Sequence, residues 1–183
     1  MKKVAKIVIG VMAGSAGYGA GAAQAARQLG KEIAGRGAVL LTGACPGLPY
    51  EAVQGAKEKD GQTLGISPAL GLVDHRARYN FPTDGFDAIV YTGLGLSGRG
   101  VINVHSSDAV VVVGGRLGTL EEFTIAYACG KLIGVLEGTG GVADSARALA
   151  RIAPSNPSAK IIYEKDPVVL VEKLLKAHEE LAV

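Results

Sequence analysis

One carboxylate, two arginines and several glycine turns in this chain have the types and spacing to grip an anion. They centre on Asp108 to Gly130, D-A-V-V-V-V-G-G-R-L-G-T-L-E-E-F-T-I-A-Y-A-C-G. Ala109 to Val113 is an unbroken apolar run rich in β-branched residues, the pattern of a strand buried on both faces. Gly114 and Gly115 end that strand, Arg116, Leu117 and Gly118 make a tight turn, and Thr119 opens a helix that Gly130 stops. Strand, glycine turn and helix start together make a phosphate site. Glycines let backbone N–H groups approach an oxyanion, and the helix dipole favours negative charge at that end.

Glu122 carries two readings that stand side by side. Thr119-Leu120-Glu121-Glu122 fits a capping box, in which Thr119 and Glu122 satisfy each other's backbone N–H groups. The same position, one turn into the helix, aims a carboxylate at the crevice for acid/base work or for a ribose hydroxyl. Arg99, in Ser97-Gly98-Arg99-Gly100, is either a surface arginine or a rim ligand for phosphate or sugar, since its planar fork matches oxyanions. Arg116 lies inside the phosphate turn and is a second anion ligand, or else it reaches to solvent. Ser15, in Ala13-Gly14-Ser15-Ala16-Gly17, either donates to a phosphate or caps its own turn. His75, His105 and His178 show no metal-ligand spacing, so no metal site is expected. The chain has no G-x-S-x-G elbow and no Walker G-K-[ST], and its first glycine loop does not spell G-x-G-x-x-G.

The elements that must position these residues alternate. Strands are expected at Val4–Val11, Val39–Thr42, Gln62–Ser67, Asp87–Thr92, 109–113, Leu132–Leu136 and Ile161–Tyr163. Helical patterns fall between them, and Asp166-Pro167 supplies an N-cap and first-turn proline for the last. Glycine loops come after the first, second and fourth strands, at 12–21, 43–47 and 93–100, the last of them holding Arg99. Residues 69–86 show no clean period, and a mobile lid is one reading of them. The alternation argues for an α/β fold, a single doubly wound, mostly parallel sheet with helices on both faces, covering 1–183 as one domain. Ligands of such sheets bind beyond the strand C-termini where strand order reverses. If the first strand and 109–113 are neighbours there, their loops face one crevice, bordered by 43–47 and 93–100. Gly14, Gly43 and Gly47, with Gly17, then allow close approach of a ligand.

The 183 residues include 27 glycines, 48% hydrophobic residues and only 5% aromatic ones. The core must therefore be aliphatic. A net charge of +2 gives no electrostatic case for nucleic acid or a membrane surface. Cys45 and Cys129 have no metal-type spacing, and a reducing cytoplasm is the simplest home. The apolar run after Met1-Lys2-Lys3 is broken by Lys6 and by glycines and reads as a strand, not a signal peptide. No apolar stretch approaches membrane-spanning length.

Gly114-Gly115-Arg116-Leu117-Gly118-Thr119-Leu120-Glu121-Glu122 resembles the P-G-G-x-G-T-x-x-E signature of the LOG family, long mislabelled as lysine decarboxylases. Ala13-Gly14-Ser15 is similar to that family's first-strand G-S loop. Thr42-Gly43-Ala44-Cys45-Pro46-Gly47-Leu48 is similar to its G-G-G-P-G-L-M segment. Gln54-Gly55-Ala56 and Leu64-Gly65-Ile66-Ser67-Pro68 resemble the family's next helix and strand. The resemblance implies a Rossmann-like fold in a superfamily that also holds molybdenum cofactor carriers and DprA-related proteins. It implies a ligand such as AMP or a molybdopterin-type molecule, with no resident cofactor required, and a homodimer or tetramer. In the LOG enzymes, phosphoribohydrolases of nucleoside 5′-monophosphates, the arginine of an R-K pair and the signature glutamate are catalytic. These fall on Arg99 and Glu122. The residues expected to bind the ligand or its phosphate are Gly14, Ser15, Gly43, Gly47, Gly114, Gly115, Arg116, Gly118 and Thr119, with the phosphate itself on Gly114–Thr119. The chain departs from the pattern at Gly100 for the lysine, Gly114 for the signature proline, Arg116 for a glycine, and Pro49 for the methionine. Nothing presents a Schiff-base lysine, so a PLP decarboxylase is not expected.

Overall fold

A computed structural model describes residues 5–16, 18–19, 21–153 and 156–181. Within it seven strands and seven helices alternate along the chain. They run β1 Val8–Ala13, α1 Ala22–Gly35, β2 Val39–Thr42, α2 Leu48–Lys57, β3 Thr63–Ser67, α3 Leu72–Ala77 and β4 Ala88–Tyr91. The second half continues as α4 Gly95–His105, β5 Ala109–Val113, α5 Leu117–Ala128, β6 Leu132–Leu136, α6 Gly141–Ile152, β7 Lys160–Glu164 and α7 Pro167–Leu181. The strands form one sheet in the order β4-β3-β2-β1-β5-β6-β7. Every adjacent pair is parallel. The expected α/β, Rossmann-like architecture is the one observed.

Strand order reverses between β1 and β5, which pair directly from Ile9↔Ala109 to Ala13↔Val113. All five residues of β5 are fully buried, as the apolar run predicts for a central parallel strand. Alternate residues serve opposite faces. Val111 and Val113 join Ile9 and Val11 in a core with α1, α2 and α7. Val110 and Val112 join Met12 in a second core with Val104 of α4, Phe123 and Ala126 of α5, and Ala146 of α6. Asp87 and Asp108 each sit just before a strand and accept from the first N–H of the neighbour, Thr63 and Val8, both at 2.7 Å.

Helices α1 and α2 interlock through glycine. A Cβ on Gly30 would overlap the Ala52 carbonyl of α2, and one on Gly55 would overlap the Arg27 carbonyl of α1. The obstruction is backbone in both cases, so the helices must separate to admit a methyl group. Gly30→Ala and Gly55→Ala are expected to lower stability by about 1–3 kcal/mol each, an overpacking cost that outweighs the helix propensity gained. Thermal unfolding of the two variants checks this.

The structure corrects three expectations. Residues 69–86 are not without regular structure: they contain α3, and His75 within it is fully buried. Its Nε2 lies 3.0 Å from the Pro82 carbonyl and its Nδ1 2.8 Å from Ser67 Oγ. Because a carbonyl only accepts, Nε2 carries a proton and donates it to Pro82. Phe81 and Tyr91 pack edge-on against the ring. The segment 93–100 is not a loop for most of its length but the first half of α4, so Arg99 stands on a helix. Finally, α5 begins at Leu117 rather than Thr119. The expected start of β1 at Val4, and Gly17 of the first loop, lie outside the described residues.

Candidate functional site

A cavity of about 570 Å³ opens beside the C-terminal ends of β1 and β5. That size lies within the range of small-molecule sites. Four segments line it: Ala13–Ser15, Cys45, Leu96–Gly100 without Gly98, and Arg116–Glu122 without Leu120. Each of the four carries residues of a segment expected around the crevice, 12–21, 43–47, 93–100 and 114–119. The cavity stands where strand order reverses, as the doubly wound topology requires.

The turn between β5 and α5 is fixed from behind. Gly114 and Gly115 have φ of 55° and 97°, values that favour glycine. The Gly114 N–H donates to Thr139 Oγ1 at 2.8 Å, and the N–H groups of Val142 and Ala143 donate to the Gly115 and Gly114 carbonyls. These two glycines therefore build the turn and do not line the cavity. The first bond of the α5 ladder runs from the Leu120 N–H to the Arg116 carbonyl. No side chain caps the helix. The N–H groups of Leu117, Gly118 and Thr119 thus precede the ladder at a helix end that faces the cavity, with the favourable end of the dipole behind them.

The capping box is not formed. Thr119 is the third residue of the helix rather than its cap, and its side chain is buried against Gly115. Glu122 instead turns toward α4, where it accepts from Asn103 Nδ2 at 3.0 Å. It is 8% exposed and lines the cavity. Burial pushes its carboxyl above the ordinary carboxylate range. The Arg99 charge and the Asn103 hydrogen bond oppose that rise, while Glu121 adds to it. Gly100 faces Glu122 across the two helices: a Cβ there would stand 3.4 Å from Glu122 Cγ, an ordinary packing contact.

Arg99 lies across the floor. Its guanidinium packs on the bare Cα of Gly43, where a Cβ would overlap Nη1. Its Nε is buried and has no hydrogen-bond partner. Gly43 is therefore not a lining residue but the space that Arg99 occupies. Gly47, at φ 82°, plays the same part for the first loop: a Cβ would meet the Ser15 carbonyl oxygen at 2.5 Å. Gly14 donates to the Val113 carbonyl and accepts from the Leu48 N–H, which ties β1, β5 and α2 together at the rim. Ser15, Arg116 and Gly118 are exposed at the mouth. The structure thus gathers Gly14, Ser15, Arg99, Arg116, Gly118, Thr119 and Glu122 around one hollow. Gly43, Gly47, Gly114 and Gly115 stand behind it.

Two residues of this site were not singled out from sequence. Asn103 is fully buried one turn after Arg99, and the i,i+4 spacing was available as a signal once 95–105 is read as helix. Cys45 lines the cavity after Ala44, a non-glycine residue at φ 51° whose N–H donates to Thr42 Oγ1. Burial pushes the Cys45 thiol up, against the pull of Arg99. Cys129 is exposed. Iodoacetamide is expected to label Cys129 well before Cys45, because the thiolate is the nucleophile. Peptide mapping by mass spectrometry over a time course checks the order.

No helix among the described residues is long and apolar enough to cross a membrane. Among the same residues, no group of three or more His, Cys, Asp or Glu side chains is placed to hold a metal ion.

An uncharacterized protein of Archaeoglobus fulgidus is 36% identical over 112 residues, 61% of this chain and 68% of the relative. Among solved structures, the molybdenum cofactor binding protein of Rippkaea orientalis is 34% identical. It aligns at TM-score 0.79 over 96% of this chain and 98% of that one. The molybdenum cofactor carrier protein of Chlamydomonas reinhardtii is 31% identical, at TM-score 0.75 over 93% and 99%. The model of the SLOG cluster4 family matches residues 6–171, and with the reversal-point cavity this places the chain in the SLOG cluster4 family.

Proposed function

We propose that the protein binds a small phosphorylated heterocycle in this cavity, of the class to which pterin cofactors and nucleoside monophosphates belong. One observation carries the reading: a buried arginine N–H without an acceptor, on the floor of a hollow entered by an uncapped helix end. A buried donor left unpaired costs free energy, and an oxyanion or ring acceptor satisfies it. The phosphate would sit on the N–H groups of Leu117, Gly118 and Thr119, with Arg116 beside it and Ser15 opposite. The ring would lie toward Arg99, Cys45 and Glu122. Between the two ligand types, similarity to the cofactor-binding proteins of Rippkaea and Chlamydomonas favours a pterin-type cargo. The residues fit that cargo, since an anion cradle and a deeper polar floor share one cavity. When bound, the cargo would bring its own metal and redox chemistry, and the chain would supply binding and shelter.

The second reading is cleavage of the N-glycosidic bond of a nucleoside 5′-monophosphate. The observation favouring it is a buried carboxyl with raised proton affinity near an arginine, an arrangement suited to acid/base work at an oxocarbenium-like centre. Mass spectrometry of small molecules released on denaturation, with molybdenum analysis of the same sample, tests the first. Titration with AMP and chromatography for free adenine test the second. Absence of any released ligand, of AMP binding and of NMR shifts at 114–122 overturns both.

A further inference from the structure

We propose that Asn103 is the positioning residue of the site: its amide holds the Glu122 carboxylate against α4 as a hydrogen-bond acceptor facing the cavity. This rests on the reading that the cavity binds a ligand. It adds a requirement on that ligand, which must present an N–H or O–H donor to Glu122. The amino and ring N–H edge of a pterin or purine, or a ribose hydroxyl, meets it.

The geometry is specific. Asn103 is fully buried on the inner face of α4, one turn beyond Arg99. Its Nδ2 donates to Glu122 Oε1 at 3.0 Å, while its Oδ1 is buried with no partner. A side chain that leaves half its hydrogen-bonding capacity unmet in the interior is not there for stability, because a leucine of similar shape would avoid that cost. What the amide does supply is a donor aimed at one carboxylate oxygen. A donor to the ionised form favours that form and fixes its direction. The other groups that face Glu122 are the Arg99 guanidinium from the same helix, the Cys45 thiol from the loop after β2, and Glu121 on its own helix. Arg99 makes no ion pair with Glu122 within 4.0 Å. Asn103 is therefore the direct hydrogen-bond donor to this carboxylate among the described side chains.

The test reads the carboxylate itself. The full chain is labelled with [δ-13C]glutamate, the Glu122 signal is assigned with Glu122→Gln, and its titration is followed by NMR. Asn103→Leu is expected to move the Glu122 midpoint up by about one to two pH units, the worth of one hydrogen bond to a charged group. Asn103→Asp, which keeps the shape and replaces the donor by an acceptor, moves it further in the same direction. A purely structural asparagine would lower the melting temperature without moving the midpoint. An unchanged midpoint in either folded variant overturns the proposal, and if Asn103→Leu fails to fold then Asn103→Asp decides it. Because the readout needs no ligand, it is independent of AMP binding by the wild type. That binding bears on the ligand reading alone.

Discussion

Gly43→Ala is expected to weaken binding of the phosphorylated ligand by on the order of 100-fold, at almost no cost in melting temperature. The added methyl would overlap Arg99 Nη1 and stand 2.5 Å from its Cζ. The obstruction is the far end of a flexible side chain and not backbone, so the fold relieves it by swinging the guanidinium away. What is lost is the placement of a half-buried cation, its Nε fully enclosed, in a pre-formed site. Truncating one partner of a buried, hydrogen-bonded charge pair costs about 2–5 kcal/mol, and 100-fold corresponds to about 2.7 kcal/mol. Arg99→Ala should show a loss of the same size. Gly43→Ala combined with Arg99→Ala should be no worse than Arg99→Ala alone, because both remove one interaction. Isothermal titration of the four proteins checks the cycle. Additive losses would mean that Gly43 contacts the ligand independently. A wild-type affinity in Gly43→Ala would mean that the position of Arg99 does not matter.

That interaction marks the boundary of what the amino-acid sequence makes legible. The seven strands, their order of appearance and the reversal-point crevice are written in local patterns, because a five-residue apolar run such as 109–113 fits nothing but a buried strand once glycines bound it. Arg99 and Glu122 stood out as an anion ligand and a first-turn carboxylate from local context, while their catalytic roles came from resemblance. Their relation through Gly43, Gly100 and Asn103 is a matter of which helix packs on which loop, and no local period reports that. Glycine density misled in a definite way at 93–100. Gly95, Gly98 and Gly100 suggest a loop, yet the segment is helical from Gly95 on. Tertiary packing overrides weak helix propensity there. Thr119 and Glu122 have the spacing of a capping box. The box is absent because α5 begins two residues earlier and Asn103 offers the carboxylate a donor from another helix. Cys45 and Asn103 escaped notice for the opposite reason. Asn103 belongs to no local motif, Cys45 stands in its glycine loop where the family has a glycine, and both matter through neighbours distant in sequence.

Glu122→Gln is expected to raise stability as pH rises above the folded-state value of the carboxyl, which burial holds above the ordinary 4.5, while it removes function. The sign comes from linkage. Burial lifts the Glu122 carboxyl above its ordinary value of 4.5, so the fold favours the protonated form. The stability that this contributes is fully present below pH 4.5 and is lost as pH rises through the folded-state value. Once pH passes the folded-state value, the wild type carries a buried carboxylate that Arg99 and Asn103 compensate only in part. Glutamine has the same shape, keeps an oxygen for the Asn103 amide and never ionises. Its advantage should be close to zero at pH 4, grow with pH and level off once the wild-type group has ionised. For a chain of this length each kcal/mol gained raises the melting temperature by about 2–4 °C. Melting curves of both proteins between pH 4 and pH 8 give the profile. A pH-independent difference would show that Glu122 does not titrate in that range. In the same variant, turnover of a nucleoside monophosphate, if the wild type supports it, should fall by about 100-fold or more, because an acid/base group has been replaced by one that cannot exchange a proton. A more stable protein that works less well identifies Glu122 as a residue kept against the interest of the fold. The capping role that sequence logic allowed for it would leave both stability and function nearly unchanged in this variant, because glutamine also serves in a capping box.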